Sequence, residues 1–116
     1  MSSQNDQGFK SFLASGAIEA YLVVDVQTDG TIKAAANNTK GIGVLQEDAA
    51  DTNYASVKLW TAPGTHMAQI SGSAVTAATS YGVITGGYVG VVTLTHFKAL
   101  SSAADGDGTV KEFILA

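Results

Sequence analysis

Leu22-Val23-Val24-Asp25-Val26-Gln27-Thr28-Asp29-Gly30-Thr31-Ile32-Lys33-Ala34-Ala35 is the stretch that decides the fold class. Residues 22–26 are a short apolar run rich in β-branched side chains, which favour a pleated surface. Asp29-Gly30 then supplies a turn, because glycine accepts the positive φ that a tight hairpin needs. Residues 31–35 would return antiparallel to the first run.

The same grammar continues outward from this hairpin. Asn37-Asn38 marks a loop and residues 42–45 a short buried strand. Residues 47–53 form an acidic loop. Residues 55–60 alternate, with Val57 and Leu59 on one face and Lys58 and Trp60 on the other. Pro63-Gly64 breaks the chain, and residues 65–70 resume it. Residues 71–79 are small and polar, fit for a loop or a single helical turn. Strands over 81–85 and 89–95 are joined at Gly86-Gly87, residues 101–108 are a loop, and residues 110–115 close the chain. Helical periodicity is weak throughout. The pattern predicts an all-β fold: a small β-barrel or tulip-like sandwich of about eight or nine short strands. Residues 1–13 are expected as a flexible N-terminal arm, and residues 14–116 as a single β domain.

That domain carries a degenerate internal repeat. Leu45 is followed by Ala49-Ala50-Asp51 and then by Val57-Lys58; Leu100 is followed by Ala103-Ala104-Asp105 and then by Val110-Lys111. Each half thus reads as strand, Ala-Ala-Asp loop, strand.

Composition excludes several function classes. The 116 residues suit one domain. Hydrophobic residues make up 46% of the chain, enough to build a core. Charged residues are only 14%, the net charge is −4, and all six cationic residues are lysines. Nucleic-acid binders gather Arg and Lys into a basic stripe that neutralises phosphates. None is present here, so neither nucleic acid nor an anionic membrane is an expected partner. The absence of cysteine excludes disulfides, thiolate metal sites and cysteine nucleophiles. The polar start Met1-Ser2-Ser3-Gln4-Asn5-Asp6-Gln7 lacks a basic n-region. The apolar stretch 17–26 is too short to span a bilayer and carries Glu19 and Asp25. A soluble protein without an export signal is expected.

No motif carries chemistry. Thr39-Lys40-Gly41 has the wrong order for a phosphate loop, and Gly86-Gly87-Tyr88-Val89-Gly90 does not match a dinucleotide fingerprint. His66 and His96 stand apart without acidic neighbours, whereas a zinc site needs three or four ligands. Asp105-Gly106-Asp107-Gly108 fails the calcium-loop pattern, since Glu112 falls at the eighth position and not the twelfth. The expectation is therefore no catalytic residue, no cofactor and no metal.

Between Lys58 and Lys98 there is no charged residue at all. Interface cores are depleted in charge, so this span is expected to face other protein chains. Phe9, Phe12 and Leu13 could anchor the arm. Trp60 and Tyr88 are the candidate aromatic anchors, since aromatics dominate binding hot spots, and His96 is a further candidate contact.

One resemblance extends over most of residues 15–116. Ser15-Gly16-Ala17-Ile18 leads into a strand, then the Asp29-Gly30 hairpin, then Gly41-Ile42-Gly43-Val44 and the Ala49-Ala50-Asp51 loop. Ala103-Ala104-Asp105 precedes Val110 and the ending Ile114-Leu115-Ala116. This order resembles the phage head-decoration, or capsid cement, proteins. The sequence departs from them over residues 90–98, where Val91-Val92-Thr93-Leu94-Thr95-His96-Phe97 replaces a Gly-Val-Ala-Leu segment. The resemblance implies a β-barrel or tulip-like domain that binds the major capsid protein on the outer surface of the virion, often as a trimer, after assembly in the host cytoplasm. A carbohydrate-binding or adhesive β-module of a fibre or tail is the alternative.

Overall fold

The computed structural model describes residues 8–71, 75–92, 95–100, 102 and 109–115. Among these are ten strands: β1 (Phe9–Leu13), β2 (Val23–Val26), β3 (Ile32–Ala34), β4 (Gly43–Leu45), β5 (Tyr54–Leu59), β6 (His66–Ile70), β7 (Ser80–Val83), β8 (Val89–Gly90), β9 (Phe97–Ala99) and β10 (Thr109–Leu115).

The hairpin forms where the sequence places it. Val24 pairs with Ala34, Asp25 with Lys33 and Val26 with Ile32. Gly30 has φ +86°. The Asp29 carboxylate accepts from the Thr31 backbone N–H at 3.0 Å and from the Thr31 hydroxyl at 2.7 Å, which fixes the turn.

The strands build two units in sequence order. The first is a five-stranded sheet, β1-β5-β4-β2-β3. It curls until its two edges meet at one end, where Ala14 bridges Ile32 in parallel and the Ser15 N–H donates to the Ile32 carbonyl at 2.9 Å. Ile18, Leu22, Val24, Ile32, Leu45 and Val57 fill its inside. The second unit is a closed barrel, β10-β6-β8-β7-β9, antiparallel except for β6 against β8. Ile70, Val83, Val89, Phe97 and Phe113 fill it. Each fully buried side chain of this size contributes about 1.5–3 kcal/mol relative to exposure.

Alternation along the first sheet joins the units. Val24 and Leu45 point into the sheet's own core, whereas Val23 and Val44 point the other way and belong to the barrel's core. Backbone bonds complete the seam. Val23 N–H donates to Gly87 at 2.9 Å and Gly87 N–H to Ala35 at 3.1 Å, while Gln69 N–H donates to Tyr21 at 2.8 Å. Gly87 has φ +82°, and a Cβ there would lie 2.5 Å from the Val23 carbonyl oxygen. Only glycine lets the β7–β8 turn approach so closely.

Three expectations change. Residues 9–13 of the expected arm are strand β1, paired along its whole length with β5 from Phe9↔Lys58 to Leu13↔Tyr54. Phe12 packs against the first unit's core, and burying it against β5 offsets the entropy of ordering the segment. Residues 1–7 lie outside the described residues. The strand expected over 89–95 spans only Val89–Gly90, with Val91 exposed and residues 93–94 outside the described residues. Phe97–Ala99 is instead a strand of its own, pairing both β7 and β10. The two Ala-Ala-Asp segments connect strands that pair antiparallel, β4 with β5 and β9 with β10. Residues 103–105 themselves, like the Asp105–Gly108 motif, lie outside the described residues.

Candidate interaction surface

Register decides which side chains the first unit leaves uncovered. Directly opposed residues in an antiparallel pair share a face. Phe12 and Ala55 therefore point inward together, and Phe9, Ser11 and Leu13 share the outer face with Lys58, Ser56 and Tyr54. Val44, opposite Lys58, lies on that same outer face. The barrel thus covers the face over β4 and β2 and stops short of β5 and β1.

What remains uncovered is apolar and lightly charged. Tyr54 is 72% exposed and Phe9 39%. The Lys58 ammonium lies 5.8 Å from the Phe9 ring centroid, within cation–π range, and donates to the Thr65 carbonyl at 2.5 Å. Beside this strip runs an open groove of about 410 Å³ between β1 and the tip of the β2–β3 hairpin. Phe12, Leu13, Val26 and Tyr54 supply its apolar lining, and Lys10 and Asp29 its charges. β1 is also the end strand of its sheet, and an edge of this kind is a ready template for added protein contacts.

Of the residues singled out in the sequence, Phe9, Phe12 and Leu13 come together on β1, the first and third on the outer face. Trp60 and Tyr88 do not join them. Trp60 packs on the barrel's core, 4.7 Å from the Phe97 ring and 4.8 Å from the His66 ring, with its Nε1–H donating to Lys40 at 3.0 Å. Tyr88 packs on the first unit's core. Both aromatics hold the two units together. His96 is half-buried just before β9. Its N–H donates to Tyr81 at 2.8 Å, and its buried Nδ1 meets no partner among the described residues. Sequence reasoning missed Tyr54, the most exposed large hydrophobic among the described residues, although the alternation through Ser56 and Lys58 extends to it by one step.

The acidic loop 47–53 is not simply solvated. Asp48 accepts from the Ala20 N–H at 2.8 Å, Asp51 from Gly16 at 2.8 Å, and Glu47 from Ser56 at 3.1 Å. Asp48 and Asp51 tie the loop to residues 16–20, and Glu47 ties it to β5. Among the described residues no group of three His, Asp or Glu is placed to hold a metal ion.

The uncharged span is explained in part by burial. It supplies His66, Ala68, Gln69, Ile70, Val75, Tyr81, Val83, Val89 and Phe97 to the barrel interior or the seam. Its exposed described positions, such as Thr61, Met67, Thr76, Thr79, Thr85 and Val91, are uncharged.

The geometry defines a class of protein: an all-β module of two stitched units, with an apolar strand pair left open beside the seam. No protein-family model matches the chain, and no curated protein matches it in sequence. A solved structure does match it: the head fiber gp8.5 N base in bacteriophage phi29, with a TM-score of 0.76 and 18% identity. The match covers 93% of this chain and 94% of that one, so it includes both units and the seam. At this identity the likeness is one of fold.

Proposed function

We propose that this chain is a structural protein of a phage head, which docks on the outer surface of the assembled major capsid protein and performs no catalysis. The observation that carries the reading is the agreement of fold over nearly the whole chain with a head fiber base. The order of motifs, which resembles that of capsid cement proteins, supports it from the sequence side. The open face of β1 and β5 is the surface assigned to the contact, because it combines exposed apolar side chains with a strand edge. A protein that binds the assembled lattice and not the free subunit stabilises the shell by mass action, since lattice rupture must also break its contacts. The resemblance to cement proteins implies a trimer at three-fold or quasi-three-fold positions.

Co-sedimentation tests this reading. Purified chain mixed with expanded heads should pellet with them at a saturable ratio and should not bind unassembled capsid subunits. Equal binding to both forms, or none to heads, would overturn it.

A further inference from the structure

The connection between the two units runs past a buried imidazole. His66 opens β6, is 3% exposed and stands opposite Phe113 of β10. Its Nε2 lies 2.9 Å from the carbonyl oxygen of Leu59, the last residue of β5. A carbonyl only accepts, so Nε2 carries the proton of the neutral ring. Trp60 sits between the units as a wedge: its ring lies on His66 and Phe97 of the barrel, and its N–H bonds Lys40 of the first unit. A single side chain thus meets the end of one unit, the start of the other and the wedge between them.

Among the described residues, the ring's hydrogen bond goes to a carbonyl and not to a carboxylate. Lys58 of β5 is bonded to Thr65, the residue before His66. Glu112 of β10 accepts from the Thr65 hydroxyl, so its carboxylate is engaged one residue away. Lys111 stands two residues before Phe113 on β10, and Lys98 follows Phe97 on β9. Nothing among these compensates an imidazolium in the joint, and a buried unpaired charge is strongly disfavoured.

We propose that His66 is an acid-sensitive latch: on taking up a second proton it leaves the joint, releases the Trp60 wedge and loosens the barrel from the first unit before the chain as a whole unfolds. The latch concerns the joint itself and does not depend on what the protein docks to. Burial holds the imidazole below its ordinary value near 6.5; the hydrogen bond to the Leu59 carbonyl opposes it, and the charge of Lys58 adds a lesser push in the same direction as burial. The opened form therefore binds the proton more readily. The latch is fully closed above about pH 6.5 and weakens as the pH falls from there towards the folded value.

Trp60 is the only tryptophan of the chain and reports on its own release. Its emission, far-UV circular dichroism and the imidazole NMR signals would be followed together from pH 8 to pH 4 on the full chain. His96→Gln would separate the two histidine resonances. The expected result is a His66 titration below 6.5, a red shift of Trp60 emission in the same window, and unchanged far-UV dichroism through it. His66→Gln, which keeps a donor for Leu59 without a titrating proton, should lose the emission change. Trp60 emission that stays flat while His66 protonates would overturn the latch. So would a His66 titration at or above 6.5, or an emission change retained in His66→Gln. If that variant does not fold, the titration of the unaltered chain alone decides between these outcomes.

Discussion

Gly87 and Gly30 have nearly the same backbone angle and opposite surroundings. Both have φ above +80°, but a Cβ on Gly30 would meet nothing within 4 Å, whereas one on Gly87 would press on the Val23 carbonyl and the Leu22 side chain. Gly30→Ala should therefore cost only the left-handed strain, about 1–2 kcal/mol. Gly87→Ala should cost that strain plus the displacement of a seam that carries two backbone hydrogen bonds, about 3 kcal/mol or more. Urea unfolding of the two variants measures the difference directly, and equal losses would mean that the close approach at the seam contributes nothing. Asp29 gives a second test at this scale. Its side-chain and backbone hydrogen bonds to Thr31 hold its carboxyl below the ordinary value of 3.8. The ionised form is the one that fixes the turn, so the turn is intact above 3.8 and loosens as the pH falls through the lowered folded value. The Thr31 amide resonance should shift in that acidic window and stay constant above it, and Asp29→Asn should remove the shift.

Strand β1 carries the main consequence at the scale of elements. Removing residues 1–7 leaves every described strand in place, so stability should change by no more than about 0.5 kcal/mol. Removing residues 1–13 takes away the partner of β5 and uncovers Ala55 and Val57, at a cost of about 3 kcal/mol or more. Binding to heads should weaken in the second truncation. Unchanged occupancy would remove β1 from the contact. The strand was hidden in the sequence because Phe9-Lys10-Ser11-Phe12-Leu13 has aromatics at a spacing of three, which does not alternate. In the structure Phe9 and Phe12 point to opposite faces, and that choice is made by β5 and not by local pattern. The other elements were more legible. The Asp29-Gly30 hairpin and the Gly86-Gly87 turn follow from turn chemistry that acts within a few residues. β9 escaped because Phe97-Lys98-Ala99 is too short to show a period, and its pairing with β7 and β10 is set by barrel closure. Phe9 and Leu13 are singled out by their place beside the polar start, and the structure puts both on the outer face of β1. Trp60 and Tyr88, named as aromatic anchors, pack partly buried against the cores, because an aromatic among small residues carries no sign of which side it faces.

At the scale of the whole molecule, the two units divide the chemistry. The first unit carries the acidic loop, the open strand pair and most of the described charge. The barrel carries only the charges of Lys98, Lys111 and Glu112 among its described residues and is held to the first unit by Val23, Val44, Gly87, Gln69 and the Trp60–His66 contact. Tyr54→Ser would separate surface from fold, because Tyr54 is exposed and lies outside both cores. Its stability should stay within about 0.5 kcal/mol of the parent, and co-sedimentation with heads should fall. Loss of stability without loss of binding would reverse the roles assigned here.

Cryo-electron microscopy of particles carrying this chain tests the central claim most directly. Density for both units is expected on the outside of the head, with β1 and β5 turned to the shell and the barrel turned away from it. Density only in the tail or in no part of the particle would contradict the account. So would a head-bound chain that met the shell through the barrel and left Phe9 and Tyr54 in solvent.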